Sequence, residues 1–225
     1  MILFSPGSHV WQLIAVLSLV GEFPHHSRHL LGNKDVYKTI INRLTKTHTF
    51  CNVVTGDTMT CKLLTVSGNG TSKTIRIYKG ALPILTWLHP DAYEHYMEIT
   101  RNHTFPGSIK NKDRNHRMAE VIAMCVRAGI EVRPYLLTKF QFEKLAPVRL
   151  SEASMYLAKD LKKLGEMEFN KTMFTRMVGA LFTCDACYAA YNTRNAVMKW
   201  NGGGEIKTCQ SLTEISRLNA GVKDV

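Results

Sequence analysis

Two extended runs, Cys-Lys-Leu-Leu-Thr-Val-Ser (61–67) and Ser-Lys-Thr-Ile-Arg-Ile-Tyr-Lys-Gly (72–80), are joined by Gly68-Asn69-Gly70-Thr71. Glycine and asparagine tolerate positive φ, so this pattern predicts a β-hairpin. A hairpin cannot bury its apolar face alone and needs helices packed against it. The sequence supplies them just upstream. Residues 10–21 read as a helix, built on the apolar run Val-Trp-Gln-Leu-Ile-Ala-Val-Leu-Ser-Leu-Val and ended by Gly21 and Pro24. A short second helix is expected over 25–32, closed by Gly32. Asn33 caps a third over 34–48, where Val36, Tyr37, Ile40, Ile41 and Leu44 recur as one apolar face.

Three helices followed by a basic hairpin is the order of a winged helix-turn-helix, in which the third helix enters the major groove of DNA and the hairpin lies along the backbone. The other face of the third helix carries Lys34, Lys38, Arg43 and Lys46, and the hairpin carries Lys73, Arg76 and Lys79. These are the candidate phosphate contacts. Asn42 and Arg43 are the candidates for reading bases, because an amide or a guanidinium can bond one base edge in two places. Charge supports the same partner. Twenty-nine Lys and Arg residues against 18 Asp and Glu leave a net charge of +11 over 225 residues, which favours double-stranded nucleic acid over a membrane surface. The apolar run at 10–20 is too short to span a bilayer, and no Lys or Arg precedes it as in a signal peptide. A cytoplasmic location is therefore expected.

After the hairpin, residues 81–89 and 90–101 read as helices divided at Pro90, and residues 102–113 as a linker. An amphipathic helix follows, with Met118, Val121, Ile122, Cys125 and Val126 on one face and Gly129 as its stop. Ile130-Glu131-Val132 is a short strand. Residues 151–165 read as a helix capped by Ser151 and closed by Gly165. Three short runs, 176–183, 187–194 and 196–200, read as an antiparallel meander, and residues 205–221 as a final helix. The fold class expected is α+β, with a winged helix over 1–104 and a small α/β domain over 105–225.

Candidate chemistry is sparse. Cys184 and Cys187 form a single CxxC, with Cys51 and Cys61 as its only loose partners, and His25 and His29 stand four apart without an acidic or cysteine neighbour. Neither set makes a metal site, and no cofactor is expected. The enzymatic alternative is a Mg²⁺-dependent nuclease using Glu205-x-Lys207 with Asp185 or Glu120. It requires 205–207 to be a strand, on which both side chains share a face. Helical spacing of Leu212, Ile215 and Leu218, with Glu205 in the first turn and Gly221 past the end, favours a helix.

The layout of an N-terminal winged helix, then Arg-Asn-His-Arg-Met-Ala-Glu-Val-Ile-Ala-Met-Cys-Val-Arg-Ala-Gly-Ile-Glu-Val (114–132), then 175–200 and a closing helix, resembles the replication-relaxation family and its relatives. These are proteins of bacterial plasmids and integrative conjugative elements. The resemblance implies a second half similar to restriction-endonuclease-like folds without a recognisable catalytic set. It implies DNA binding in plasmid replication or conjugative transfer, with a replication or transfer protein of the same element as a partner. The α/β sheet is expected to be incomplete, either from a truncated gene product or because a partner completes it. The second domain would then serve in docking or dimerisation, with a homodimer as one arrangement.

Overall fold

The apolar run near the N-terminus forms helix α1 (His9–Val20), and the Ser8 hydroxyl accepts the Trp11 amide at 3.2 Å to cap it. Leu13, Ile14, Val16, Leu17, Leu19 and Val20 are buried. Gly21 ends the helix at φ 80°, and a Cβ there would stand 2.7 Å from the Thr100 methyl, so only glycine fits. The computed structural model describes residues 1–105, 107–132, 153–162, 174–183, 186–195 and 202–215. It is a mixed α+β protein that divides into two compact units, Met1–Arg127 and Ala128–Val225.

The first unit holds two small sheets. Strand β1 (Ile2–Phe4) runs parallel to β3 (Thr47–Asn52), which pairs antiparallel with β4 (Thr58–Lys62). Strand β2 (Glu22–Pro24) pairs antiparallel with β6 (Thr74–Ile77), which pairs in turn with β5 (Leu64–Ser67), giving the order β2-β6-β5. The hairpin expected from Gly68-Asn69-Gly70 is therefore present as β5–β6. Between β2 and β3 lie a 3₁₀ turn (His25–Leu30) and helix α2 (Lys34–Leu44). Beyond β6 follow a 3₁₀ segment (Lys79–Trp87), α3 (Ala92–Ile99) and α4 (Ile109–Arg127).

Several expectations for this unit are corrected. The second and fourth helices are 3₁₀ rather than α, and in the fourth Pro83 lacks the amide that an α-helix interior would use. The third helix stops at Leu44 instead of running to residue 48. There the threonine-rich stretch turns into the hairpin β3–β4, whose alternation (Phe50 and Asn52 buried, Thr47 exposed) is that of a half-buried strand. The boundary expected at 104/105 lies instead at 127/128, and α4 begins inside the expected linker. Helix α4 belongs to the first unit because it packs on α1 and β2.

Among the described residues, the second unit holds a four-stranded sheet of order β10-β9-β8-β7, formed by β7 (Glu131–Val132), β8 (Ser154–Leu157), β9 (Gly179–Phe182) and β10 (Cys187–Ala190). β7 is parallel to β8, and the other pairs are antiparallel. The helix expected over 151–165 is overturned in its first half. Residues 154–157 are a fully buried strand, and helix occupies 158–162. Pairing on both sides outweighs local propensity here. Gly179 lets β9 close onto β8, since a Cβ would collide with the Tyr156 carbonyl oxygen. The first two runs of the expected meander are β9 and β10; the third, 196–200, lies outside the described residues. Helix α5 (Gly203–Ile215) packs Leu212 and Ile215 into a core with Tyr156, Leu161, Phe182 and Cys187. The rings of Tyr156 and Phe182 meet edge to face at 5.3 Å.

Candidate nucleic-acid interface

Helix α2 begins where the Asn33 carboxamide oxygen accepts the amides of Asp35 (3.0 Å) and Val36 (3.2 Å). Its buried side is Tyr37, Ile41 and Leu44, and the Tyr37 hydroxyl donates to Gln12 at 2.9 Å. Burial through those three residues turns Lys34, Lys38, Asn42 and Arg43 to the outside; these four and Lys46, just past the helix end, are exposed. Val36, expected in the apolar face, is 38% exposed at its edge. Among the described residues, the ion pairs are His26–Glu120, Arg76–Glu22, His89–Asp91 and Arg117–Asp113. None involves a cation of α2, so that face keeps its positive charge.

The hairpin treats its three candidate residues differently. Lys79 is exposed just beyond β6, and Lys73 is half-buried just before it. Arg76, proposed from sequence as a phosphate contact, is turned inward. Its Nε and Nη2 donate to Glu22 Oε2 at 3.1 and 2.8 Å, while its guanidinium lies 4.1 Å over the Phe105 ring. Glu22 is fully buried and accepts a third bond, on Oε1 from Asn115 Nδ2 at 3.1 Å. Arg76 thus neutralises a core carboxylate across the β2–β6 pair. This was hidden in the sequence because Glu22-Phe23-Pro24 reads as the end of a helix and not as a strand.

A cleft of about 420 Å³ opens between α2 and the hairpin, lined by His25, Asn42, Thr45, Lys62, Leu64, Thr65, Val66 and Lys73. It brings together Asn42 and Lys73, both singled out from sequence. It adds His25 and Lys62, which sequence reasoning missed. Lys62 could have been noticed as the basic residue at the start of the hairpin run, but its neighbours depend on the unforeseen strand β4. The Lys62 ammonium lies 4.1 Å over the Tyr78 ring. The His25 amide donates to the Lys73 carbonyl at 2.8 Å, which ties the 3₁₀ turn to the hairpin. Burial holds the His25 pKa below its ordinary value, and Lys73, Arg28 and His26 push it the same way.

The residues of the nuclease alternative do not form a strand-borne set. Residues 203–215 are helical, so Glu205 and Lys207 project about 200° apart around the axis. Glu205 is buried and Lys207 exposed. Glu120 belongs to α4 in the first unit, where it accepts the Ser27 hydroxyl at 2.6 Å and lies 3.8 Å from His26. Asp185 and Cys184 lie outside the described residues. Among the described residues, no three His, Cys, Asp or Glu side chains converge as a metal site would require, and no helix is long and apolar enough to cross a membrane. No protein-family model, curated protein or solved structure matches the chain.

Proposed function

We propose that the chain binds duplex DNA through a winged helix-turn-helix in its first unit. The observation that carries this is one arrangement. The order α1, β2, 3₁₀ turn, α2, β5, β6, with β2-β6-β5 as the sheet, sets an acid-poor basic helix beside a basic hairpin. In this reading α1 and the sheet are the scaffold, and the β3–β4 hairpin is an insertion between the recognition helix and the wing. Helix α2 enters the major groove, Lys34, Lys38 and Lys46 contact phosphates, and Asn42 and Arg43 face base edges. Lys73 and Lys79 follow the backbone from the wing. Arg76 acts inside the fold and leaves the interface.

The second unit acts as a docking or dimerisation module. The protein then serves, in the cytoplasm, as an accessory or regulatory factor of a mobile genetic element, in plasmid replication or conjugative transfer. That biological setting draws its support from the resemblance in layout. The test is binding of the purified chain to a labelled random-sequence duplex across a salt series, with and without Mg²⁺, with the DNA inspected afterwards. Intact DNA bound with a steep log–log salt slope is expected. A flat slope would remove the phosphate contacts, and Mg²⁺-dependent cutting would replace the reading with a nuclease.

A further inference from the structure

We propose that the cleft between α2 and the β5–β6 hairpin seats one backbone phosphodiester, held by Lys62, Lys73 and the imidazolium of His25. This rests on the duplex-binding reading and assigns a specific contact within it. Three cationic or protonatable side chains converge there from three separate parts of the chain: the 3₁₀ turn, the end of β4, and the residue before β6. Among the described residues, no carboxylate lines the cleft. Asn42, Thr45 and Thr65 line it with neutral polar groups, the Thr45 hydroxyl donating to the Asn42 carbonyl at 2.8 Å, and Leu64 and Val66 form an apolar wall. A site with this lining suits a monoanionic, oxygen-rich group and repels a basic one.

His25 makes the site proton-linked. Arg28 Nη1 lies 3.3 Å from His25 Nδ1 and also donates to the His25 carbonyl at 3.0 Å. Arginine has no acceptor, so Nδ1 accepts and the neutral ring carries its proton on Nε2. Other charged or titratable groups around His25 are Lys73 from the hairpin, His26 in its own turn and Lys62 across the cleft; Glu120 of α4 faces His26 instead. In the free protein these surroundings, together with burial, favour the neutral ring. A phosphodiester placed among the three cations reverses the balance. The ring then takes a proton from solvent on Nδ1, displacing the Arg28 contact, while Arg28 keeps its bond to the carbonyl.

Binding therefore takes up a proton at pH values between the free and the bound pKa of His25, and affinity rises as pH falls through that window. The experiment measures affinity of the full chain for the labelled random duplex at fixed salt, from about pH 5 to about pH 8. The wild type is expected to gain affinity toward acid pH, approaching tenfold per pH unit at its steepest. His25→Gln should flatten the curve. Lys73→Gln tests the seat without touching the imidazole: it should lower the log–log salt slope by about one. It should also raise the pKa of His25 in the free protein, read by NMR. Duplex binding whose pH dependence survives His25→Gln, or whose salt slope survives Lys73→Gln, overturns the seat and leaves the DNA reading standing. No duplex binding at any pH overturns both.

Discussion

The outer face of α2 and the face that α4 lays against the β2-β6-β5 sheet are both polar, and they use their polar groups in opposite ways. On α2, Lys34, Lys38 and Arg43, with Lys46 just past its end, stand in solvent without an acidic partner among the described residues. Under α4, each polar side chain is met by another. Asn115 reaches Glu22, His116 Nε2 lies 3.1 Å from the Thr74 hydroxyl, and Glu120 takes the Ser27 hydroxyl. Charge left without a partner in solvent costs the fold little and remains available for binding. Charge moved inside has to be matched, and once matched it positions elements. Arg43 and Arg76 look equivalent in the sequence, yet they fall on opposite sides of this division.

The strongest way to break the comparison is to reverse charge on the open side. Lys38→Glu with Arg43→Glu should abolish duplex binding at moderate salt and reduce any residual log–log salt slope by about two units. Unfolding by urea should stay within about 0.5 kcal/mol of the wild type, as for surface changes generally. A double variant that unfolds, or one that binds DNA as before, would show that α2 is not the open face described.

The matched side should respond in the reverse sense. Arg76→Met leaves the fully buried Glu22 carboxylate with only the Asn115 amide, and the expected loss is about 3–5 kcal/mol of stability. DNA affinity, corrected for the folded fraction, should be unchanged. Glu22→Gln together with Arg76→Met should recover much of the loss, because a neutral amide no longer needs the guanidinium. If Arg76→Met instead weakens DNA binding with stability intact, Arg76 belongs to the interface after all.

The same division explains how far the sequence could be read. The apolar period of α1 and α2, the Gly68-Asn69-Gly70 turn and the helix after Gly202 are local patterns, and each appears where its local physics puts it. The outward position of Lys34, Lys38, Asn42 and Arg43 was legible because three buried residues on the same helix fix which way the others point. Strand β2, the β3–β4 hairpin and strand β8 were not legible. Their pairing partners lie far along the chain, or their own residues give a mixed signal, as Ser154-Met155-Tyr156-Leu157 does. The inward ion pair of Arg76 was hidden for the same reason, since its partner Glu22 sits on β2. His25 and Lys62 joined the cleft only when the three-dimensional arrangement of the 3₁₀ turn, β4 and the hairpin was known.

A third treatment of charge occurs in the second unit. Asp160, three residues past the end of β8, is 3% exposed, and its Oδ2 has no hydrogen-bond partner among the described residues. Burial raises its pKa from 3.8 to about 6, against a smaller opposite pull from Lys159. A raised carboxyl pKa means that the folded state binds the proton more tightly than the unfolded one. Stability from this group is therefore complete below pH 3.8 and is lost as pH rises through about 6. The difference amounts to about 3 kcal/mol at neutral pH. Asp160→Asn should remove the pH dependence and slow hydrogen exchange at the β8 and β9 amides at pH 7. Unchanged exchange would mean that the carboxylate is better solvated than its burial implies.

The smallest effect concerns how the open face is aimed. Asn33 is exposed, yet its side chain accepts two of the free amides at the start of α2. Asn33→Ala should cost about 1 kcal/mol, far less than loss of Arg76. Its effect on binding should nevertheless be visible, because fraying the first turn loosens Lys34 and Lys38 while leaving Asn42 and Arg43 anchored behind Tyr37 and Ile41. Asn33→Asp, which keeps the cap and favours the helix dipole, should restore helix stability. Placing an acid beside Lys34 and Lys38 should at the same time weaken DNA binding at low salt. Stability and affinity would then move in opposite directions in one variant, and parallel movement of the two would show that the first turn of α2 is only scaffold.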